Sequence, residues 1–129
     1  MIEAVIGVTI WTDDLERLVG FYRDTLQLKL RDHKPGWANF AWGEMRLNLG
    51  LHDRVKGKSL DPYRIMVSFR VPDIDAEYQR LMEKDVEFIR VPETEHWGGR
   101  VTTFLDPDGN VLQLLQVPEG SSGGAPLAQ

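Results

Sequence analysis

The residues best suited to acid–base or metal chemistry in this chain are its histidines, above all His52 and His96. Asp53 directly follows His52, and a neighbouring carboxylate favours the protonated imidazole, which makes the ring a stronger base. His52 is therefore a candidate general base. As an alternative, His52 and His96 could bind a metal ion together with Glu44 or Glu95, although their spacing along the chain fixes no geometry.

Composition excludes several other kinds of site. The 129 residues contain no cysteine, so no disulfide, zinc–thiolate centre or thiol nucleophile can form. Fifteen Lys and Arg against twenty Asp and Glu give a net charge of −5 without a basic stripe, so nucleic acid is not an expected partner. No apolar run approaches the roughly 18 residues of a membrane span, and the first residues do not resemble a signal peptide. We therefore expect a cytoplasmic protein without a membrane partner.

The hydrophobic pattern predicts one strand, one helix and three further strands, and then the same order again. The first set is a strand at 5–11, a helix at 15–26 and strands at 28–31, 37–42 and 45–52. The second set is a strand at 64–71, a helix at 74–82 and strands at 86–91, 100–105 and 111–117. Turns or loops are predicted at 33–36, where His33 should be solvated, and at 92–99.

The two sets are related as an internal repeat. A shift of 59 places residues 5–10 over 64–69 and Asp14-Leu15 over Asp73-Ile74. Neither half is large enough to be stable alone, so we expect one domain at 1–118. It comprises module one at 1–53, a linker at 54–62 and module two at 63–118, and a Gly/Ser/Pro-rich tail follows at 119–129. The predicted fold is α+β, with two βαβββ modules forming a curled mixed β-sheet around a cleft and helices on its outer face.

Three sequence motifs occur in this order along the chain, at a characteristic spacing. They are D-L-x-x-x-x-x-F-Y-x-x-x-L at 14–26, V-P-D-I-D-A at 71–76 and G-R-x-x-x-F-x-D-P-D-G-N at 99–110. With these motifs, residues 4–117 resemble the vicinal oxygen chelate superfamily, which includes glyoxalase I, fosfomycin- and bleomycin-resistance proteins and extradiol dioxygenases. The family usually has glycine after Leu26 and after Lys84, where this chain has Gln27 and Asp85. If both helices end in the left-handed conformation, each substitution costs about 1 kcal/mol.

The resemblance also implies where a metal would lie. In metal-using members, two strands of each module supply His, Gln or Glu ligands, and the corresponding positions here are Gly7, Asn48, Met66 and Gln113. Glycine has no ligand atom, the methionine thioether prefers soft metals, and the two amides are uncharged. This donor set predicts a site without metal or other cofactor.

Strand alternation identifies the residues that should share the cleft with these four positions. The opposite face would carry only apolar side chains, namely Val8, Ile10, Leu47, Leu49, Val67, Phe69, Leu112 and Leu114. The stretch W-G-G-R at 97–100 resembles the W-G-x-R of bleomycin-resistance members, so Trp97, like Trp11, could stack on a flat ligand. The predicted ligand-binding residues are Gly7, Thr9, Trp11, Arg46, Asn48, His52, Met66, Ser68, Trp97 and Gln113.

These features predict a metal-independent protein of the glyoxalase and bleomycin-resistance type that sequesters a small or drug-like ligand. Two alternatives stay open at this point: a metal-dependent lyase or dioxygenase with an atypical site, and a metal-free enzyme that uses His52 or an arginine. The resemblance further implies a homodimer, because modules of this family commonly pair across subunits.

Overall fold

Strands and helices follow the order βαβββ twice in the computed structural model, which describes residues 1–118. The chain divides into two compact units, Met1–Lys58 and the part from Ser59 onward, which we call module one and module two. Module one comprises β1 Gly7–Thr12, α1 Leu15–Gly20, β2 Leu30–Lys34, β3 Trp37–Trp42 and β4 Met45–Leu51. Module two comprises β5 Val67–Arg70, α2 Ile74–Glu83, β6 Phe88–Thr94, β7 Arg100–Leu105 and β8 Val111–Gln116. The tail predicted at 119–129 lies outside the described residues.

Each module contains one four-stranded mixed sheet of the same topology. The strand orders are β1-β4-β3-β2 and β5-β8-β7-β6. The first strand of each module runs parallel to the last, and the remaining pairs are antiparallel. The predicted fold class, α+β with two βαβββ modules, is therefore confirmed.

Both helices begin at an aspartate that caps the first turn. Asp14 accepts a hydrogen bond from the backbone N–H of Arg17 at 3.2 Å, and Asp73 accepts one from Ala76 at 3.2 Å. These bonds satisfy N–H groups that have no partner within the helix. Neither helix of residues 1–118 is long and apolar enough to cross a bilayer.

The first helix does not continue regularly to Leu26, as the hydrophobic spacing predicted. After Gly20 it widens into a π-helical turn over Phe21–Thr25, in which the N–H of Leu26 bonds the carbonyl of Phe21 at 2.9 Å. The prediction of a uniform α-helix was wrong in this turn, because the spacing from Tyr22 to Leu26 suits either kind of turn.

The two helices end in backbone conformations that ordinarily favour glycine. Gln27 has φ 64° and Asp85 has φ 61°, both in the left-handed region. The left-handed conformation considered for both helix ends is thus confirmed, although neither residue is glycine. The clash of each Cβ with the backbone costs about 1 kcal/mol relative to glycine.

The helices cover the apolar face of each sheet. In module one, Leu18 and Tyr22 are buried with Phe40 and Leu49 of the sheet. In module two, the buried set is Ile74 and Leu81 of α2 with Phe104, Leu112 and Leu114. Each of these side chains contributes about 1.5–3 kcal/mol by leaving water. The opposite face of each sheet carries more polar side chains.

Several boundaries differ from the prediction. Strands β1 and β5 begin later, at Gly7 and Val67, which leaves the apolar residues before them exposed. The loop predicted at 92–99 is shorter in the structure, because β6 continues to Thr94. Strand β6 contains Pro92 and tolerates it because β6 lies at the edge of its sheet.

Strand β2 also extends further than predicted. It runs to Lys34, so the turn shrinks to the pair Pro35-Gly36. The prediction that His33 is in a turn was therefore wrong, whereas its expected exposure to solvent is confirmed. His33 lies in β2 and places its Nε2 2.9 Å from Oε2 of Glu16 in α1.

Candidate functional site

A row of polar residues crosses the face of the module-one sheet that lies opposite the helix. Its members are directly paired on neighbouring strands and therefore share a face: Thr9, Asn48, Asn39 and Asp32. The amide nitrogen Nδ2 of Asn48 donates to Oγ1 of Thr9 at 3.3 Å. Oδ1 of Asn39 is buried and has no hydrogen-bond partner within residues 1–118.

Module two repeats this row with different side chains. The directly paired residues are Ser68, Gln113, Thr103 and Arg90. Nε2 of Gln113 donates to Oγ of Ser68 at 3.0 Å. The hydroxyl–amide pair is therefore built twice, at positions related by the internal repeat.

Sequence analysis missed four members of these rows: Asn39, Asp32, Thr103 and Arg90. Asn39 could have been found from the position of the hairpin turn in the sequence. Strands β3 and β4 are joined by Gly43-Glu44, which pairs Trp42 with Met45, and counting outward places Asn39 opposite Asn48. The same count places Trp37 opposite Gly50.

A cavity of about 510 Å³ lies over the polar row of module two. Three predicted ligand-binding residues line it: Met66, Trp97 and Gln113. Ser68, a fourth predicted residue, does not line the cavity but accepts a hydrogen bond from Gln113, which does. The cavity also has walls that sequence analysis missed, formed by Tyr63, Ile89, Arg90 and Glu95.

The single arginine of the cavity wall is engaged by two carboxylates. Nε of Arg90 donates to Glu93, and Nη2 donates to Glu95. Hydrogen bonds to Glu93 and then to Glu95 hold the pKa of the Arg90 guanidinium above its ordinary value. Arg90 therefore stays charged and is paired with two carboxylates, of which Glu95 also lines the cavity. The remaining wall combines apolar side chains with an amide and a hydroxyl.

Trp97 owes its position in the cavity wall to a glycine. A Cβ atom at Gly99 would overlap Cη2 and Cζ3 of the Trp97 ring, so the indole lies directly on the Gly99 backbone. The loop that carries Trp97 is closed by two backbone bonds: Glu95 N to Gly99 O at 2.7 Å and Gly98 N to Glu95 O at 2.9 Å. Gly98 has φ +98°, a conformation that other residues rarely adopt.

Strand pairing places the predicted residues of β1 and β4 on one face, whereas His52 lies just beyond the end of β4. A Cβ at Gly7 would lie 3.6 Å from Nδ2 of Asn48, so these two positions are adjacent. Arg46 is turned toward its own hairpin, where Nη1 donates to the carbonyl of Gly43 at 2.6 Å. The convergence of Gly7 and Asn48 with Met66 and Gln113 on one cleft stays a prediction.

The hydrogen bonds of His52 do not suit a general base. Its Nδ1 accepts from the backbone N–H of Arg54 at 3.1 Å. Because a backbone amide can only donate, Nδ1 uses its lone pair there, and the neutral ring carries its proton on Nε2. No nitrogen of the neutral ring is then left to accept a proton from a substrate.

The residues at the implied metal positions do not fit a divalent ion. Asn48 and Gln113 offer uncharged amide oxygens, Met66 offers a thioether, and Gly7 offers no side-chain atom. Such a set provides no negative charge to offset the dehydration of a hard cation. Within residues 1–118, no three His, Asp or Glu side chains are grouped so that they could hold a metal ion elsewhere.

A comparison of the whole chain with known families agrees with the fold. The model of the Glyoxalase/Bleomycin resistance protein/Dioxygenase superfamily matches residues 5–114. The chain belongs to this superfamily, as the three motifs indicated.

Individual relatives are distant but cover most of the chain. The Bacillus subtilis protein YraH is 26% identical over 125 residues, which cover 88% of this chain and 98% of the relative. A bleomycin resistance protein from Klebsiella pneumoniae is 26% identical over 112 residues, covering 80% and 84%. The crystal structure of a superfamily member from Sphaerobacter thermophilus is 28% identical, with a TM-score of 0.72, and the match covers 90% and 98%.

Proposed function

We propose that this protein binds a small, drug-like molecule in the module-two cavity without the help of a metal ion. The observation that carries the proposal is the cavity itself, because its walls combine apolar surface with a few polar groups that can orient a ligand. Its volume, about 510 Å³, lies within the range of pockets that hold such molecules.

Two features support binding without metal. Met66 and Gln113, which stand at positions where the family places metal ligands, both line this cavity. A flexible thioether can adapt to an apolar ligand, and the amide can exchange hydrogen bonds with a polar one. The likeness to a bleomycin resistance protein over 80% of the chain makes a drug the first ligand to test.

Metal independence gives the first prediction. Protein purified without chelator should contain far less than one equivalent of Zn, Mn, Ni or Fe by elemental analysis. Adding each ion should leave the thermal unfolding midpoint unchanged. An ion raises the midpoint only if it binds the folded protein, and we expect no set of side chains here to bind it. One equivalent of a single metal that also raises the midpoint would contradict the proposal and favour a lyase or dioxygenase.

Ligand binding is tested with metal-free bleomycin and a panel of drug-like compounds, followed by calorimetry. We expect Gln113→Ala to weaken binding of any hit about fivefold, the effect of one lost hydrogen bond. The matched control is Gln79→Ala on the exposed surface of α2, which should not change affinity. If no compound binds, or if both variants behave alike, the cavity is not the binding site.

We also propose that the protein forms a homodimer. Strands β1 and β5 are edge strands of their sheets, and each follows an exposed apolar segment that includes Ile6 or Ile65. Open edges and apolar patches of this kind are ordinarily covered by another chain. Light scattering should give about twice the 14.8 kDa chain mass at micromolar concentration. A mass of one chain at that concentration would contradict the proposal.

A further inference from the structure

Module one contains an aromatic cluster that lies outside the module-two cavity. The ring centroid of Trp11 is 5.9 Å from that of Trp37 and 5.2 Å from that of His52. We call these three residues the aromatic corner. Although large and apolar, Trp11 remains 43% exposed, so the corner is open to solvent on at least one side.

A glycine allows this arrangement to form. Trp11 and Trp37 flank Gly50 on the same face of the sheet, because both are its direct cross-strand partners. A Cβ at Gly50 would lie 2.7 Å from Cζ3 of Trp11 and 2.9 Å from Cε3 of Trp37. Both indoles therefore pack against the backbone of β4 at Gly50. Any other residue at this position would force the two rings apart.

The angles between the rings decide what kind of group can fit. The Trp11 ring is inclined by 56° to Trp37 and by 75° to His52. Rings at such angles cannot sandwich a flat molecule, which needs parallel faces. Two inclined indole faces can instead both contact a compact, rounded cation such as a methylated ammonium group.

Charged side chains of both signs lie near the corner. Because Nδ1 of His52 accepts from Arg54, the neutral ring cannot donate from that nitrogen to Asp53, whose Oδ1 lies 3.3 Å away. The carboxylate of Asp53 is 96% exposed and lies beside the corner. Lys34, the cross-strand partner of Trp37, opposes the attraction of a cation to this carboxylate from the β2 edge.

We propose that the aromatic corner of module one binds a quaternary ammonium group through cation–π interactions with Trp11 and Trp37. None of the three residues lines the module-two cavity, and the proposal does not rest on the function proposed for that cavity. Among the natural side chains, the indole of tryptophan makes the strongest cation–π interaction. A quaternary ammonium group has no proton to lose, so it keeps its positive charge at every pH.

The test uses choline and its uncharged isostere 3,3-dimethyl-1-butanol, in which carbon replaces the quaternary nitrogen. Binding is followed by NMR line broadening of the methyl protons and by calorimetry. We expect choline to bind roughly tenfold more tightly than the isostere, because only choline carries the charge. Equal binding of the two, or binding of neither, would overturn the proposal.

Variants separate the cation–π interaction from simple packing. Replacing Trp11 by Phe and then by Leu should weaken choline binding in that order, while far-UV circular dichroism verifies the fold. Trp42→Leu is the matched control, because Trp42 is exposed at the end of β3 and outside the corner. Asp53→Asn should weaken binding and Lys34→Ala should strengthen it, each by about two- to threefold at low salt. If Trp11→Leu retains full affinity for choline, the assignment of the site is wrong.

Discussion

Replacing Gly99 by alanine is expected to destabilise the protein by about 1–3 kcal/mol and to move Trp97 out of the cavity wall. The added Cβ would occupy space now filled by the edge of the indole, so the ring or the backbone must shift. Urea unfolding measures the loss of stability, and tryptophan fluorescence reports the new environment of the ring. Ligand affinity of the module-two cavity should fall in the same variant.

The control is the same chemical change at a glycine with free space around it. Gly20 lies at the end of α1, and a Cβ built there meets no atom within 4 Å. Gly20→Ala should therefore stabilise the protein by up to about 1 kcal/mol through helix propensity. If Gly99→Ala were as stable as the unsubstituted protein and kept its fluorescence spectrum, Trp97 would not be held by this glycine.

Asp106→Ala should lower the free energy of unfolding by about 3 kcal/mol. The Asp106 side chain is 4% exposed, and its Oδ1 accepts from the backbone N–H groups of Asp108 at 2.9 Å and Asn110 at 3.0 Å. Its Oδ2 accepts from Nδ2 of Asn110 at 2.9 Å. Removing the carboxylate leaves these donors unsatisfied in the turn that joins β7 to β8, and buried donors without partners are costly.

Two further variants show whether the loss comes from these hydrogen bonds. Asp106→Asn keeps one oxygen for the backbone N–H groups and should recover part of the stability. Asp24→Ala removes a carboxylate whose hydrogen bonds run only to exposed Arg23, and it should leave the unfolding midpoint unchanged. A midpoint for Asp106→Ala equal to that of Asp24→Ala would rule out a structural role for the turn carboxylate.

The parts of the fold that follow from short-range rules could be predicted from the sequence. Asp14 and Asp73 mark helix starts because a short acidic side chain can cap a first turn. Alternation along β4 separated Asn48 from its buried neighbours Leu47 and Leu49, and the structure confirms this partition.

The residues that escaped prediction depend on irregular pairing or on long-range contacts. In β6 the register shifts between Phe88 and Arg90 and again between Arg90 and Glu93, so simple alternation could not place Arg90 in the cavity wall. The packing of Trp97 on Gly99 depends on a side-chain rotamer, which no spacing rule specifies. Trp37, by contrast, could have been found by counting from the hairpin turn.

The left-handed residues at the two helix ends bear on how far this scaffold could change its ligand. Substitutions that reshape a pocket usually lower stability, and a protein tolerates them only while it remains above its folding threshold. Gln27 and Asp85 both lie outside the candidate sites, and each holds strain of about 1 kcal/mol that glycine would release in part. Substitution by glycine at either position, neither of which lines the cavity or belongs to the aromatic corner, could therefore offset the stability lost through changes in the binding residues.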